Sequence, residues 1–429
     1  MSSSLRLAPP AVNVERRGDD WYLRSPHAPG PAPGAIGVWL EERAREHPSR
    51  VFMAERDGDG DGWRTQNYRQ AHDAARAIGS ALLTLGAGPR RPLALLSENS
   101  IAHVSMQLGA MQAGIPVAPI SAAYSLMSST FDNLRAVMDT LRPALVFADD
   151  LPRYDEAIAT LPTDVKVIGT GECSREAVAY DSLLRTRPTL DLDRAWSQVQ
   201  PKTVAKILFT SGSTGTPKGV VNTQRMLCSN QEAIVRLWPF LKDTPPVTVD
   251  WLPWSHTFGS NHNVGMILRN GGTMYIDGGR PAPGRLDTTI RNLEQIAPTV
   301  YFNVPRGYDL LATAMESNEA LARNFFSRLD VLFYAAAALP PATRARLEAL
   351  AAAHERTVFF ASAWGSTETA PLATSAYFPT TTPAVIGLPA PGVEIKLAAC
   401  EGRHELRVRG PNVSPGTWSP DGTVVPMER

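Results

Sequence analysis

The segment Thr210-Ser211-Gly212-Ser213-Thr214-Gly215-Thr216-Pro217-Lys218-Gly219 gathers three glycines, five hydroxyl side chains and one lysine into ten residues. Glycine tolerates positive φ and lets backbone N–H groups come close to a ligand. With hydroxyls and an ammonium as further donors, the segment is suited to enclosing a polyanion such as phosphate. Only six of the 42 cationic side chains are Lys, the other 36 being Arg, so Lys218 is the rarer choice of cation in this chain. A flexible point charge suits a mobile triphosphate tail. A solvated Ser/Gly linker has a similar composition, but here Ile207–Thr210 (ILFT) precedes the segment and a helical pattern follows. The loop is therefore expected directly between a buried strand and a helix. It is not a P-loop, in which Gly stands immediately before Lys and Ser/Thr after it; Pro217 and Gly219 flank Lys218.

Two further segments carry chemistry-bearing groups. In Ala363-Trp364-Gly365-Ser366-Thr367-Glu368 an aromatic ring, a hydroxyl and a carboxylate stand together. Taken alone, Glu368 reads as an exposed carboxylate at a helix start. In Trp251–Gly259 (WLPWSHTFG), His256 stands among apolar residues, where a histidine is more often a packed core residue than a catalyst. His262 is read as structural. Asp57–Gly62 (DGDGDG) imitates the start of a calcium loop, but its twelfth position is Tyr68 rather than Glu. It is expected to turn a hairpin between Val51–Glu55 and a strand near Trp63. Arg344, Arg346 and Arg356 are expected on a solvated helix face.

The elements that must hold these groups follow from periodicity. Tyr68, Ala71, Ala75, Ile78 and Leu82 recur at steps of three and four, marking one buried helix face. Strands are expected at Leu93–Leu96, Val117–Ile120 and Ala144–Phe147, with helices at Ile101–Gln112 and near Phe131–Leu141. The rhythm resumes with the strand Ala205–Thr210, the helix Gln224–Leu237 and strands at Val247–Leu252, Met274–Ile276, Thr299–Phe302, Val331–Tyr334 and Val358–Phe360. Helices are expected near Gly307–Met315 and at Pro341–Glu355. Strand, helix, strand in this order predicts an α/β fold with mostly parallel sheets covered by helices. Residues 1–35 are expected to be an irregular arm, and 170–200 a polar connection without strands. Gly392–Leu397 and Glu405–Val408 alternate with a period of two, which predicts a small β subdomain.

With 429 residues, 43% of them apolar, the chain has material for a large core. Lys+Arg and Asp+Glu are both 42, so no net charge draws it to nucleic acid or to an anionic membrane. The three cysteines (Cys173, Cys228, Cys400) form no CxxC pair, which excludes a disulfide scaffold or cysteine zinc site. No secretory signal and no apolar run of about 18 residues is present, so a soluble, cytoplasmic protein is expected.

The 210–219 segment strongly resembles the phosphate loop of the acyl-adenylating family, which includes acyl-CoA synthetases, luciferases and peptide-synthetase adenylation domains. Trp251–Gly259 is similar to that family's acyl-pocket strand and turn, and Tyr334–Pro340 (YAAAALP) to its small-residue turn. Ala363–Glu368 resembles its aromatic-Gly-x-Thr-Glu motif, and Ile386–Pro389 and Glu405–Gly410 match later β elements. The resemblance runs from about residue 35 to the end. It implies two stacked α/β subdomains (1–200 and 201–390) with a small, incomplete β subdomain at 391–429. It implies that Thr210, Ser211, Gly212, Ser213, Thr214, Gly215 and Lys218 hold the β and γ phosphates of ATP. Trp364 and Gly365 would hold the adenine with Ala336 and Ala337, Thr367 would bond the α phosphate, and Glu368 would help hold Mg²⁺. His256, Phe258, Tyr334 and Ala336 would line the acid site, His256 beside the substrate carboxylate. Ala336 departs from the pattern: relatives commonly carry Gly there, so either the pocket is shortened or the alignment is off by one residue.

Within the family, Asn222–Cys228, Pro253–Gly259 and Ala122–Leu126 most resemble feruloyl-CoA synthetases. That implies an ATP-dependent acid–CoA ligase acting on ferulate or a related hydroxycinnamic acid, with coenzyme A as co-substrate. Other aryl or medium-chain acids, or a non-catalytic nucleotide-binding protein, are the alternatives. The family's mobile C-terminal domain, with its catalytic Lys, and the Tyr-x-Thr-Gly-Asp segment before it are not in this sequence. The chain reads as an engineered, proteolysed or naturally truncated N-terminal part that binds ATP and acid but adenylates very poorly.

Overall fold

Tyr68, Ala71, Ala75, Ile78 and Leu82 are all buried on one face of the helix Tyr68–Thr84, as their spacing predicts. Asn67 starts this helix by accepting from the Gln70 N–H, while the Gln70 side chain accepts from the Asn67 N–H. The helix packs on Ile101–Gln112, which is buried from His103 through Gln112. The computed structural model describes residues 5–58, 60–211, 217–380, 382 and 384–427.

A nine-stranded sheet runs through the first half of the fold. Its parallel part orders Val204–Ser211, Val117–Pro119, Leu93–Leu95, Leu145–Ala148, Lys166–Gly169 and Ala177–Ala179 side by side. Successive residues of a strand point to opposite faces. Leu93, Leu95, Leu145 and Phe147 accordingly enter one core, while Ala94, Val146 and Ala148 enter the other. A strand buried on both faces needs continuous apolar sequence, which is what made these strands legible.

A five-stranded sheet sets Val300–Asn303, Val331–Tyr334 and Phe359–Gly365 parallel, then adds Leu372–Ala376 and Leu388–Pro389 antiparallel. A four-stranded sheet joins Val247–Asp250, Thr273–Ile276, Val51–Arg56 and Trp63–Asn67. The expected hairpin between Val51 and Trp63 is therefore present; Asp59 at its tip lies outside the described residues. The mixed α/β architecture with mostly parallel sheets is thus as the sequence predicts.

Several expectations are corrected. Residues 13–24 are not an irregular arm: Asn13–Arg17 and Asp20–Arg24 form a hairpin that joins Glu394–Cys400 and Arg403–Arg409 in a four-stranded antiparallel sheet. Its charged side chains hide the pairing, which is fixed by contacts such as Lys396 Nζ to Asp20 Oδ2 at 2.7 Å. Residues 170–200 contain the edge strand Ala177–Ala179 and the helices Tyr180–Leu184 and Leu190–Gln198. The boundaries at 200 and 390 cut across sheets, because Val51–Arg56 pairs with Thr273–Ile276 and Val204–Ser211 with Val117–Pro119. The small β part expected at the C-terminal end is present as Glu394–Cys400 paired with Arg403–Arg409, while Gly416–Trp418 and Val424–Pro426 form a hairpin that adds to the nine-stranded sheet. Arg344 and Arg346 are not free surface charges: Arg344 lies over the Phe360 ring at 4.8 Å and Arg346 clamps Glu316 and Asp309. Arg356 lies beyond the helix end at Ala353 and bonds the Leu329 carbonyl at 2.9 Å.

Candidate active site

Thr210 and Ser211 end the strand Val204–Ser211, Tyr334 ends Val331–Tyr334, and Trp364 and Gly365 end Phe359–Gly365. His256 lies in the turn that follows Val247–Asp250. All four strands have parallel neighbours, and the crevice beyond the carboxyl ends of such strands is where α/β sheets bind ligands. Here it is a cavity of 670 Å³ lined by Thr210, Ser211, His256, Phe258, Tyr334, Ala336, Ala337, Trp364, Gly365, Thr367 and Glu368. That volume falls within the usual range of about 300–1,000 Å³ for small-molecule sites. The sequence-predicted residues from four distant segments are therefore brought together. Lys218 is not among the lining: it is exposed on the strand Pro217–Thr223, paired opposite Thr210. Gly212, Ser213, Thr214 and Gly215 lie outside the described residues.

The segment after the loop is a strand, not the expected helix. Pro217–Thr223 folds back antiparallel on Val204–Ser211, and the helix begins only at Gln224, capped by Thr223. Gly219 permits this pairing, since a Cβ there would lie 2.9 Å from Ile207 Cγ2. Thr210, Ser211 and Lys218 are thus held on one antiparallel ladder, Thr210 opposite Lys218.

The turn carrying Thr367 and Glu368 is a short 3₁₀ helix, Thr367–Thr369, held from three sides. Asn222 Nδ2 donates to the Thr367 carbonyl at 3.1 Å, Asn230 Nδ2 to the Thr369 carbonyl at 3.0 Å, and the Ser414 N–H to the Glu368 carbonyl at 2.8 Å. Gly365 is required just before it, because any Cβ would collide with the Pro371 carbonyl. Glu368 is half-buried at the cavity wall, and its carboxylate has no cationic partner among the described residues. No group of three His, Cys, Asp or Glu side chains among the described residues could hold a metal alone. One open carboxylate beside the hydroxyl-bearing strand end Thr210–Ser211 would suit Mg²⁺, which is typically held by one or two carboxylates plus substrate phosphates.

Ala336 takes φ of 72° in the turn after Tyr334. That is the left-handed region where glycine is favoured and an alanine is strained. The backbone at 336 thus has the conformation a glycine would supply.

His256 sits at the cavity lip, its Nδ1 accepting from the Phe258 N–H at 3.3 Å, and desolvation holds its pKa below the usual histidine value. Phe258 begins a π-helical turn, Phe258–Asn263; such turns add a residue to the helix and recur at functional sites. His262, read from sequence as structural, is buried but also lines the cavity, stacked on Phe333 with centroids 4.8 Å apart. Behind the turn, Lys206 is 1% exposed and donates to Ser260 Oγ at 2.5 Å, with no acidic partner among the described residues. Burial lowers its pKa to about 7. The sequence signal for Lys206 was a charge at a fully apolar strand position (VAKILF); the anchoring amides Asn222 and Asn230 gave none, nor did Asn412, whose Nδ2 donates to the Leu372 carbonyl at 2.8 Å.

The sequence profile of the family described as AMP-binding enzyme matches residues 40–418. The long-chain-fatty-acid–CoA ligase ACSBG2 of Xenopus laevis is 24% identical over 296 residues, 66% of this chain and 39% of that protein. The 3-[(3aS,4S,7aS)-7a-methyl-1,5-dioxo-octahydro-1H-inden-4-yl]propanoyl:CoA ligase of Rhodococcus jostii is 27% identical over 405 residues, 88% of this chain and 71% of that one. This chain thus spans about two-fifths of the length of the first of these relatives. Among solved structures, the anthranilate CoA ligase AuaEII in complex with anthranoyl-AMP superposes with a TM-score of 0.73 at 19% identity, covering 91% of this chain and 72% of that chain. No helix among the described residues is long and apolar enough to cross a membrane. The profile match takes in the hydroxyl-rich hairpin, the Ala336 turn and the Trp364–Glu368 segment together, and the chain belongs to the AMP-binding enzyme family.

Proposed function

We propose that the chain is the substrate-binding part of an ATP-dependent acid–CoA ligase that activates ferulate or a related hydroxycinnamic acid as its adenylate. The observation that carries the reading is the convergence in one cavity of a hydroxyl-lined strand end, an open carboxylate and an aromatic recess. Thr210, Ser211 and the hairpin tip, with Lys218, hold the β and γ phosphates, and Trp364 stacks on the adenine. Glu368 would hold Mg²⁺, which would neutralise phosphate charge in the transition state. Thr367 donates to the α phosphate. His256 sits beside the acid's carboxylate, and Phe258, Tyr334 and Ala336 shape the acyl wall.

The carboxylate oxygen attacks the α phosphorus; a P–O bond forms as the bond to pyrophosphate breaks. In the second step the thiolate of coenzyme A attacks the acyl carbon and AMP leaves. The residues here act chiefly by positioning and by donating to phosphate oxygens. Neutral His256 leaves the acid's negative charge free to attack instead of pairing with it. Titration calorimetry with ferulate, benzoate and octanoate, each with MgATP present, tests the reading. Tightest binding of ferulate supports it, and preference for octanoate overturns the aromatic assignment.

A further inference from the structure

Asp250, Asn263 and His262 form a chain of hydrogen bonds that ends in the cavity. Asn263 Nδ2 donates to Asp250 Oδ2 at 3.0 Å, and Asp250 Oδ1 accepts from the Leu252 N–H at 3.2 Å. With its nitrogen committed to the carboxylate, Asn263 turns its oxygen toward His262, whose Nδ1 lies 2.8 Å from Asn263 Oδ1. An amide oxygen can only accept, so Nδ1 carries the proton. Desolvation keeps the ring neutral, with its pKa pushed down to about 4. The lone pair is therefore on Nε2.

Nε2 has no hydrogen-bond partner among the described residues and is not sealed away as a buried atom, while the ring lines the cavity. The surroundings are aromatic. Phe333 stacks on the imidazole at 4.8 Å, and Phe258 and Phe302 approach edge-on at 5.7 and 5.6 Å. An acceptor fixed in such a wall favours a ligand that brings a donor. It disfavours one that leaves the acceptor dry, because the unpaired polar group bears its full desolvation cost.

We propose that His262 Nε2 selects the acid: it accepts a hydrogen bond from a hydroxyl or amine at the end of the substrate distal to its carboxylate, such as a phenolic hydroxyl. The proposal rests on the acid-activating reading above and adds to it the residue that sets selectivity. Asp250 and Asn263 act through His262 by fixing which nitrogen is bare. A methyl ether at the same position offers no proton and gains nothing from Nε2.

Calorimetry of the whole chain with 4-hydroxycinnamate, 4-methoxycinnamate and cinnamate tests it, with 8-hydroxyoctanoate and octanoate as a non-aromatic pair. The wild-type chain is expected to bind 4-hydroxycinnamate about tenfold more tightly than either analogue, as one neutral hydrogen bond allows. In His262→Phe, which keeps a ring against Phe333, that ratio is expected to fall to near one. Equal wild-type affinities for the three cinnamates overturn the proposal without recourse to any variant, as does a ratio that survives His262→Phe. If the aliphatic acids bind and the cinnamates do not, the aromatic reading fails. The selection by His262 then stands or falls on whether 8-hydroxyoctanoate outbinds octanoate. Binding of none of the five acids overturns both.

Discussion

Asn222 holds Thr367 and Asn261 at once: its Nδ2 donates to the Thr367 carbonyl at 3.1 Å and its Oδ1 accepts from Asn261 Nδ2 at 2.6 Å. One buried amide on the Pro217–Thr223 strand thus ties the turn bearing Glu368 to the π-helical turn that follows His256. Asn222→Ala leaves the Thr367 carbonyl without this donor and Asn261 Nδ2 with only Thr257 Oγ1 at 3.0 Å, and a buried group left unpaired costs about 1–3 kcal/mol. A stability loss of that order is expected by urea unfolding. Affinities for MgATP and for acid should also fall together, since both sides lose the same anchor; loss of one alone would contradict the tie.

Glu368→Gln keeps volume and removes charge. Its expected effect is on the metal rather than the base: MgATP affinity falls at least tenfold, while ATP with the metal chelated binds nearly as in the wild type, as for a lost magnesium carboxylate. Calorimetry in magnesium and in chelator reads both. An equal loss in the two buffers would assign Glu368 a structural role.

Lys206 makes stability depend on pH. Its folded pKa of about 7 lies below the usual lysine value of 10.5. Between those values the unfolded chain holds a proton that the folded chain lacks, so stability rises as pH climbs through the window. Below about pH 7 both states hold it, and the full cost of the buried charge is present. Lys206→Met is expected to stabilise the chain at pH 7 by roughly 1–3 kcal/mol, as apolar replacement of buried charge often does. The wild-type gain in stability between pH 7 and 10 should be correspondingly larger than the variant's. Parallel curves for the two proteins in unfolding at several pH values would show that Lys206 stays charged.

Ala336→Gly relieves a left-handed alanine worth about 1–2 kcal/mol and adds backbone entropy worth about 0.5–1 kcal/mol in the unfolded chain. A small net gain in thermal stability is expected, with Ala336→Val strongly destabilising. A destabilised glycine variant would mean that the Ala336 methyl is a needed contact.

What sequence revealed followed from local physics. The strand Leu145–Ala148 is buried on both faces and reads as an apolar run, and the helix 68–84 declares itself through one apolar stripe. That Thr210, Thr367 and Glu368 belong with the cavity could be read because they stand in short contiguous motifs. The places of Asn222 and Asn263 could not, and Lys206 showed only as a charge within an apolar strand, because a buried polar group is meaningful only through partners such as Thr367, Asp250 and Ser260 on other elements. The strand Pro217–Thr223 was missed because Pro217 and Gly219 are poor strand formers whose places are set by Ser211 and Phe209 across the ladder.

The hairpin 13–24 has a consequence for how the molecule is made. Arg24 pairs with Glu394, 370 positions later, and the intervening chain builds two of the other three sheets and all but two strands of the third. During synthesis the first hairpin leaves the ribosome with one edge open and waits for some 370 further residues before its partner emerges. Its strands carry Glu15, Arg16, Arg17, Asp20 and Arg24, charges that discourage a neighbouring nascent chain from pairing there instead. The sheet is thus closed only when residues 394–409 are made, so a translation product that stalls before them is born with that edge unguarded by anything except charge.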